Sequence, residues 1–396
     1  MRAVVAGPAS RSEAIDRQPI GFPAVSSPIT DTRGGSAPGD LEPQDYPRKV
    51  LFVAGAGRSG TSTLSGLMQL MGLHVPQPEV VPDESNPKGF GEPAWVVEHH
   101  DRLLKDAGVQ VSDARPDAWF ETGRVSTREP ERIRTAEWLD GHFAVNHELV
   151  VKDPRLSWFL GLWRVAAIRD GAVPVFATML RPPSEVVGSK QKYYANRLGS
   201  AHLAASWLNM LLHTERATRE SVADGGRVFV RYGDLLDDWV KVVMQLGEQL
   251  ELQNVLHAKS EQIRDGHRFV DPGLRRVTQS LADLQLPPKL HDLTGQTWDE
   301  LNKLAEPGGD TVEAHATLDQ LREAYVDLYA EAEAISRSSV VAAEQRLKRE
   351  LKGGRSAAPA MVEEPRDLAD RIPHGLRAAI PPGVRRRVRK VLGRER

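Results

Sequence analysis

A glycine-rich loop between an apolar strand pattern and a helical pattern constrains the fold of this chain more than any other feature. The loop, GAGRSGTST at residues 55–63, ends the apolar run 49–55 and leads into a helical pattern over 61–72. Its glycines, Gly60 among them, let the backbone turn tightly and approach an anion, and the free N–H groups at the helix start point towards it. Side-chain donors and a positive charge are added by Arg58, Ser59, Thr61, Ser62 and Thr63. The loop therefore predicts a phosphate-binding site.

Three further apolar runs, at 148–152, 174–180 and 227–231, are each short enough for a buried strand and are separated by helical patterns. Strands that alternate with helices require crossover connections. The predicted fold class is α/β, a mostly parallel sheet flanked by helices with a helical C-terminal extension. Ligands of such sheets bind beyond the carboxyl ends of the strands, where the loop falls.

Composition excludes several classes of protein. The 396 residues carry a formal net charge of −2, so nothing draws the whole chain to nucleic acid. With no cysteine there is neither a disulfide framework nor a thiolate nucleophile. No apolar run approaches the roughly 20 residues that a membrane span needs, and residues 1–25 lack the apolar core of a signal peptide. We expect a cytoplasmic protein.

Four segments are predicted. Residues 1–47 are rich in Pro, Gly, Ser and Ala and predict a disordered tail, and 48–305 hold the α/β domain. Residues 306–352 predict a long amphipathic helix, whose seam we expect to pack on its own domain rather than in a dimer, although the oligomeric state stays open. The seam is formed by Leu318, Leu321, Tyr325, Leu328, Ala332 and Ile335. Residues 353–396 read as a linker and a basic tail, RRRVRK at 385–390, which is a candidate for peripheral contact with the inner face of the membrane.

Three interpretations of the loop compete. Gly55, Gly57 and Gly60 fit the dinucleotide pattern, which needs an acidic residue about 20 positions later at a strand end, but Glu79 lies in a poor strand. A Walker loop of an ATP-dependent enzyme needs Lys where Thr61 stands. The third interpretation is a loop for a 5′-phosphosulfate, in which the basic residue precedes Ser-Gly-Thr.

A second motif favours the third interpretation. Arg181 ends the strand pattern 174–180, two prolines suit the first turn of a helix, and Ser189 follows eight residues after Arg181. Both motifs resemble those of sulfotransferases that use 3′-phosphoadenosine-5′-phosphosulfate (PAPS), a family with a P-loop-like fold. The resemblance covers about residues 48–280 and implies that Arg181 and Ser189 bind the 3′-phosphate, with Tyr232 near the adenine. It also suggests that Arg275 and Arg276 close over the 3′-phosphate.

The resemblance implies a sulfuryl transfer from PAPS to an acceptor hydroxyl, with release of 3′,5′-ADP and without a metal. Arg58 and Lys152 would stabilise the charge on the transferred group. The position of the family's usual catalytic His is Pro154, so the base is expected to be Glu92, with His99 or His100 as alternatives. The acceptor is left open as a small molecule, a glycan or a lipid. Four residues would line its pocket or belong to the core: Trp119, Phe120, Trp138 and His142. A nucleotide-binding protein without activity remains the alternative from another class.

Overall fold

The computed structural model describes residues 46–81, 89, 91–194, 198–221, 226–271, 273 and 279–356, without the side chains of 193–194 and 352–356. Every structural statement below concerns these residues. Most of the predicted tail 1–47, nearly all of the predicted segment 353–396, and both Arg275 and Arg276 lie outside them.

Four strands form one parallel sheet in the order β2-β1-β3-β4. Their bounds are β1 (Lys49–Ala54), β2 (Glu148–Lys152), β3 (Val173–Leu180) and β4 (Arg227–Arg231). The four predicted strands are confirmed within one residue at each end. The fold class is confirmed as well, because all three strand pairs are parallel and helices flank the sheet.

Helices make up most of the rest of the described chain. They are α1 (Thr61–Leu70), α2 (Ala94–Ala107), α3 (Ala118–Ser126), α4 (Glu129–Phe143), α5 (Leu160–Arg169), α6 (Pro183–Tyr194), α7 (Ser200–Thr218), α8 (Tyr232–Asp237), α9 (Trp239–Gln249), α10 (Gln253–Leu256), α11 (Ser260–Phe269), α12 (Pro288–Lys303) and α13 (Val312–Ser356). Within the described residues, every helix is too short or too polar to cross a lipid bilayer.

The sheet separates two apolar cores because side chains alternate between its faces along each strand. In β1, Val50 and Phe52 contribute to one core, which also takes in α2 to α7, α12 and the start of α13. Leu51 and Val53 contribute to the other, which is closed by α1 and by α8 to α11. A sheet buried on both faces explains why its strands read as continuous apolar runs rather than as alternating ones.

Helix α13 differs from the predicted helix 306–352 at both ends. It begins only at Val312, because Gly308 has φ +73° in the preceding turn and the Thr311 hydroxyl accepts from the Ala314 N–H. It ends at Ser356 rather than at 352. Its first half packs on the domain, as expected for the seam, and Leu318 and Tyr325 are buried. The last seam residue, Ile335, is instead 84% exposed.

Candidate functional site

The predicted site residues gather at the carboxyl edge of the sheet because the register of the strands brings their ends together. Lys152, the last residue of β2, pairs with Val53 of β1, and Ala54 pairs with Thr178 of β3. Arg181 directly follows β3, whose Leu180 is aligned with Arg231 of β4. The loop after β1 therefore lies between Lys152 on one side and Arg181 on the other.

The conformation of the loop requires glycine at two positions. Gly55 has φ +135°, and a Cβ there would lie 2.8 Å from the Met179 carbonyl oxygen. Gly60, immediately before α1, has φ +92°, and a Cβ there would lie 2.2 Å from the ring of Tyr232. Both positions combine a left-handed conformation with a close approach that only glycine allows. Ser59 lies between them, and its buried hydroxyl has no hydrogen-bond partner among the described residues.

Two hydrogen bonds join the predicted 5′-phosphosulfate loop to the predicted 3′-phosphate motif. The Arg58 Nε–H donates to the Ser189 hydroxyl at 3.2 Å. In the opposite direction, Nη1 of Arg181 donates to the Arg58 carbonyl oxygen at 3.0 Å. Arg58 itself has φ +75°, an uncommon conformation for a non-glycine residue. The structure thus brings Arg58 together with Arg181 and Ser189, both of which lie more than 100 residues later in the sequence.

Arg181 is held by two further contacts. Its Nε–H donates to Glu185 at 2.9 Å, and both side chains are buried. Its guanidinium lies 4.7 Å from the centre of the Tyr232 ring. Such contacts fix the planar guanidinium in one orientation, as bidentate recognition of a phosphate requires. Tyr232 is only 5% exposed, and its expected contact with adenine stays a prediction.

On the other side of the loop, Lys152 connects β2 to α1 and to the segment before α2. Its ammonium donates to the Ser62 hydroxyl of α1 at 2.9 Å and to Oε1 of Glu92 at 2.5 Å. Lys152 and Glu92 are both buried. The lysine that a Walker loop would carry at position 61 is absent, and a lysine from β2 reaches the start of α1 instead.

Glu92 reaches this edge because the preceding residue packs directly on α1. Gly91 has φ +61°, and its carbonyl accepts from the Ser65 hydroxyl at 3.5 Å. Burial is the largest influence on the Glu92 carboxyl and raises its pKa; the Lys152 ammonium opposes this and the Asp153 carboxylate reinforces it. A carboxyl with a raised pKa is a stronger base once it is ionised.

The two alternative bases have other partners. The Nε1–H of Trp163 donates to Nε2 of His100 at 2.8 Å, so a neutral His100 carries its proton on Nδ1 and donates to Asp153 at 3.1 Å. His99 lies between Arg102 and Thr135, at 3.2 and 3.3 Å from its two ring nitrogens. Burial lowers the pKa of His99 to about 3. The ring nitrogens of both histidines are therefore engaged within the core.

Sequence reasoning missed two buried carboxylates at this edge. Asp153 accepts from His100, from the Arg155 backbone N–H at 2.7 Å and from Arg155 Nη1 at 2.9 Å. Burial opposes its ionisation, but these hydrogen bonds keep the pKa of Asp153 lowered. Glu185 was open to prediction, since an Arg and a Glu four residues apart at a helix start form a recognised pair. Asp153 was not, because its partner His100 comes from a distant helix.

The remaining predicted site residues are Thr61, Thr63, Arg275 and Arg276. Thr61 is buried at the start of α1, and Thr63 is half-buried in its first turn. Gln279, three residues after Arg276, lies beside the start of α6, since the Ser184 hydroxyl donates to its carbonyl oxygen at 2.5 Å. A cavity of about 320 Å³ lies beside this contact, lined in part by Glu185 and Trp298.

Two sets of residues stand apart from the site. Glu79, which the dinucleotide alternative needs at a strand end, lies outside the sheet and accepts from Gln69 and Gln77. The aromatic residues considered for an acceptor pocket belong largely to the core. Trp138 stacks on Trp95 at 4.9 Å, and Trp119 stacks on His213 at 4.7 Å, whereas Phe120 is 68% exposed.

No protein-family model matches the chain, and comparison with curated proteins gives no match. Three of the solved structures that are similar to it are sulfotransferases or sulfotransferase domains. The sulfotransferase domain of a Synechococcus olefin synthase is 16% identical with a TM-score of 0.37, and the match covers 66% of this chain and 98% of that one. A sulfotransferase from Mycobacterium tuberculosis is 15% identical with a TM-score of 0.32, over 66% and 77% of the two chains. The sulfotransferase domain from the curacin biosynthetic pathway is 14% identical with a TM-score of 0.34, over 70% and 98%. At these values the likeness carries no argument about this chain, and the function has to be inferred from the site itself.

Proposed function

We propose that this chain is a sulfotransferase that moves a sulfuryl group from PAPS to an acceptor hydroxyl and releases 3′,5′-ADP. The observation that carries the proposal is the pair of hydrogen bonds that joins Arg58 to Ser189 and Arg181 to the Arg58 backbone. A donor with phosphates at both the 5′ and the 3′ position needs two neighbouring anion sites. An ordinary ATP or NAD site needs only the first.

The residues at the site fit such a donor. The glycine-rich loop and the N-terminus of α1 offer backbone N–H groups for the 5′-phosphosulfate, with hydroxyls from Ser59 to Thr63 around it. Arg181 and Ser189 bind the 3′-phosphate in this proposal, and Glu185 and Tyr232 keep the Arg181 guanidinium oriented. A phosphate oxygen would also give the Ser59 hydroxyl the partner that it lacks among the described residues.

The donor supplies an activated sulfuryl group, and the chain supplies a base and positive charge. In the proposed reaction Glu92 takes the proton of the acceptor hydroxyl, whose oxygen attacks sulfur while the bond to the bridging phosphate oxygen breaks. Lys152 and Arg58 stabilise the charge that develops on the sulfuryl and bridging oxygens. Lys152 contacts Glu92 and Ser62 at once, so it lies between the proposed base and the loop that holds the donor.

The choice of Glu92 over the histidines rests on their contacts. Glu92 contacts Lys152 at the sheet edge. His99 and His100 instead use their ring nitrogens for Arg102, Thr135, Asp153 and Trp163. For the acceptor we propose only that it carries a hydroxyl group; it is a small molecule, a glycan or a lipid.

The test is transfer of label from sulfur-labelled PAPS to a set of acceptors that contains a phenol, a simple sugar and a long-chain alcohol. We compare wild type with Glu92→Gln and with the control Glu98→Gln, since Glu98 is exposed on the neighbouring helix α2. A positioned general base contributes about a hundredfold or more, so Glu92→Gln should lose at least that factor while the control keeps its rate. Equal rates in all three proteins would exclude Glu92 as the base. Binding of PAPS without transfer to any acceptor would favour the non-catalytic alternative.

A further inference from the structure

The second half of α13 is a helix without a covering partner among the described residues. Every residue from 330 to 351 is exposed, whereas Leu318, Leu321 and Tyr325 in the first half are buried. These 22 exposed residues extend over about 33 Å at 1.5 Å per residue. Helices in proteins gain most of their stability from packing of an apolar face, so a helix of this length is expected to have a partner.

The exposed half carries an apolar stripe on one face. Val340, Leu347 and Leu351 recur at a spacing of seven and four residues and are 51%, 57% and 64% exposed. Ser336 and Ala343 fall on the same face and complete a spacing of three or four residues. Three of the five exposed large apolar residues of this half therefore share one face, which indicates an interaction surface, whereas Ile335 and Val341 lie off it.

The charges along one edge of the stripe indicate what covers it. Glu333, Arg337, Glu344 and Lys348 follow this edge with alternating sign. Within one copy, Lys348 and Glu344 approach to 3.7 Å, which shows that both side chains lie along the edge. When two copies of the helix run antiparallel about an axis at residues 340–341, Glu333 lies opposite Lys348 of the second copy, and Arg337 lies opposite Glu344. Every charge on the edge then meets its opposite, and two-fold symmetry repeats each pair.

The same alignment suits the apolar residues. Leu347 and Leu351 of one copy lie over residues 330–334 of the other, where three of the five residues are alanine. Large side chains over small ones let two helices pack closely. In a parallel pair this edge faces the opposite edge of the second helix, which offers only the two charged residues Arg346 and Glu350 to its four charges.

We propose that residues 330–351 of α13 form an antiparallel two-helix interface with the same segment of a second copy of this chain. The interface lies outside the candidate active site, so it holds or fails independently of the sulfotransferase proposal. The seam in the first half of α13 packs on the domain, and the stripe in the second half packs on the second copy.

Cross-linking tests the direction of the helices, and the chain suits it because it has no cysteine. We make Glu333→Cys and Leu347→Cys as separate full-length proteins and oxidise each one alone and in a mixture. The antiparallel interface brings residue 333 of one copy next to residue 347 of the other, so disulfide-linked dimers should form in the mixture and not in either protein alone. Dimers of Leu347→Cys alone would show a parallel pair and overturn the proposal.

Charge reversal tests the proposed ion pairs by sedimentation equilibrium. Arg337→Glu places two like-charged pairs in the dimer and should weaken association about tenfold. Arg337→Glu combined with Glu344→Arg restores opposite signs and should restore association. The control, Arg349→Glu, changes the same charge on the opposite face and should leave the dimer unaffected. A monomeric wild-type chain overturns the proposal, and a stripe covered by the chain's own residues 357–396 would give that result.

Discussion

Lys190 allows a quantitative test of how much a buried ammonium beside the site lowers the stability of the folded protein. The residue is 6% exposed, its ammonium donates to the Ser112 hydroxyl at 3.0 Å, and no described carboxylate contributes to its electrostatics. Burial lowers the pKa of Lys190 from 10.5 to about 8. At about 1.4 kcal/mol per pH unit, the folded state therefore loses about 3 kcal/mol by burying the ammonium at neutral pH.

Lys190→Met removes that charge while keeping a long apolar side chain. The variant loses one hydrogen bond, worth about 1 kcal/mol, so it should be about 2 kcal/mol more stable than wild type at pH 7. The sign of the pH dependence follows from the lowered pKa. Between pH 8 and pH 10.5 the unfolded chain binds a proton at this lysine that the folded chain does not, so wild-type stability gains with rising pH and the advantage of the variant shrinks.

The assay is urea unfolding of both proteins from pH 7 to pH 10, with Lys192→Met as the control. Lys192 lies on the same helix but is exposed, so its replacement should change stability little at any pH. A Lys190→Met protein that is less stable than wild type, by an amount that does not vary with pH, would refute the account of a costly buried ammonium.

Two further predictions concern the site. Gly60→Ala forces a Cβ to within 2.2 Å of the Tyr232 ring at φ +92°, so we expect a loss of about 1–3 kcal/mol or more in urea unfolding. Gly199→Ala is the control, because among the described residues no atom beyond its chain neighbours lies within 4 Å of its added Cβ, and an equal loss in both proteins would contradict the prediction. Asp153→Asn removes a charge that raises the pKa of Glu92, so the rise of the transfer rate with pH should move to lower pH. If the acidic limb of the pH profile does not move, Asp153 does not influence the pKa of the catalytic base.

The strands and the loop could be predicted because each rests on a local pattern. Apolar runs of five to eight residues and a glycine-rich strand-to-helix junction are visible without knowledge of the rest of the chain. The spacing of Arg181 and Ser189 is local too, since Arg181 lies two residues before α6 and Ser189 lies within it. Helix α3 was missed, because its Trp119 and Phe120 were considered only as core or pocket residues and not as part of a helix.

Contacts between distant segments could not be predicted in this way. The Glu92–Lys152 ion pair joins residues 60 positions apart, and the His100–Asp153 contact spans 53 positions. Each depends on how α2 packs over the end of β2, which no local pattern encodes. The apolar periodicity of α13 predicted the packing of its first half correctly. It did not show where this packing ends, since the same periodicity continues into the exposed half.

The proposed donor site has two anion-binding positions, and thermal unfolding with 3′,5′-ADP, 5′-ADP, ATP and NAD tests it most directly. A ligand at about 100 times its dissociation constant adds roughly 2.7 kcal/mol to stability, which is easily detected. Wild type should be stabilised most by 3′,5′-ADP, and Arg181→Ala and the milder Ser189→Ala should both lose that preference. The exposed Arg124→Ala, whose side chain is 78% accessible, should keep it. Equal stabilisation by the two ADP isomers, or a preference for ATP or NAD, would contradict the account.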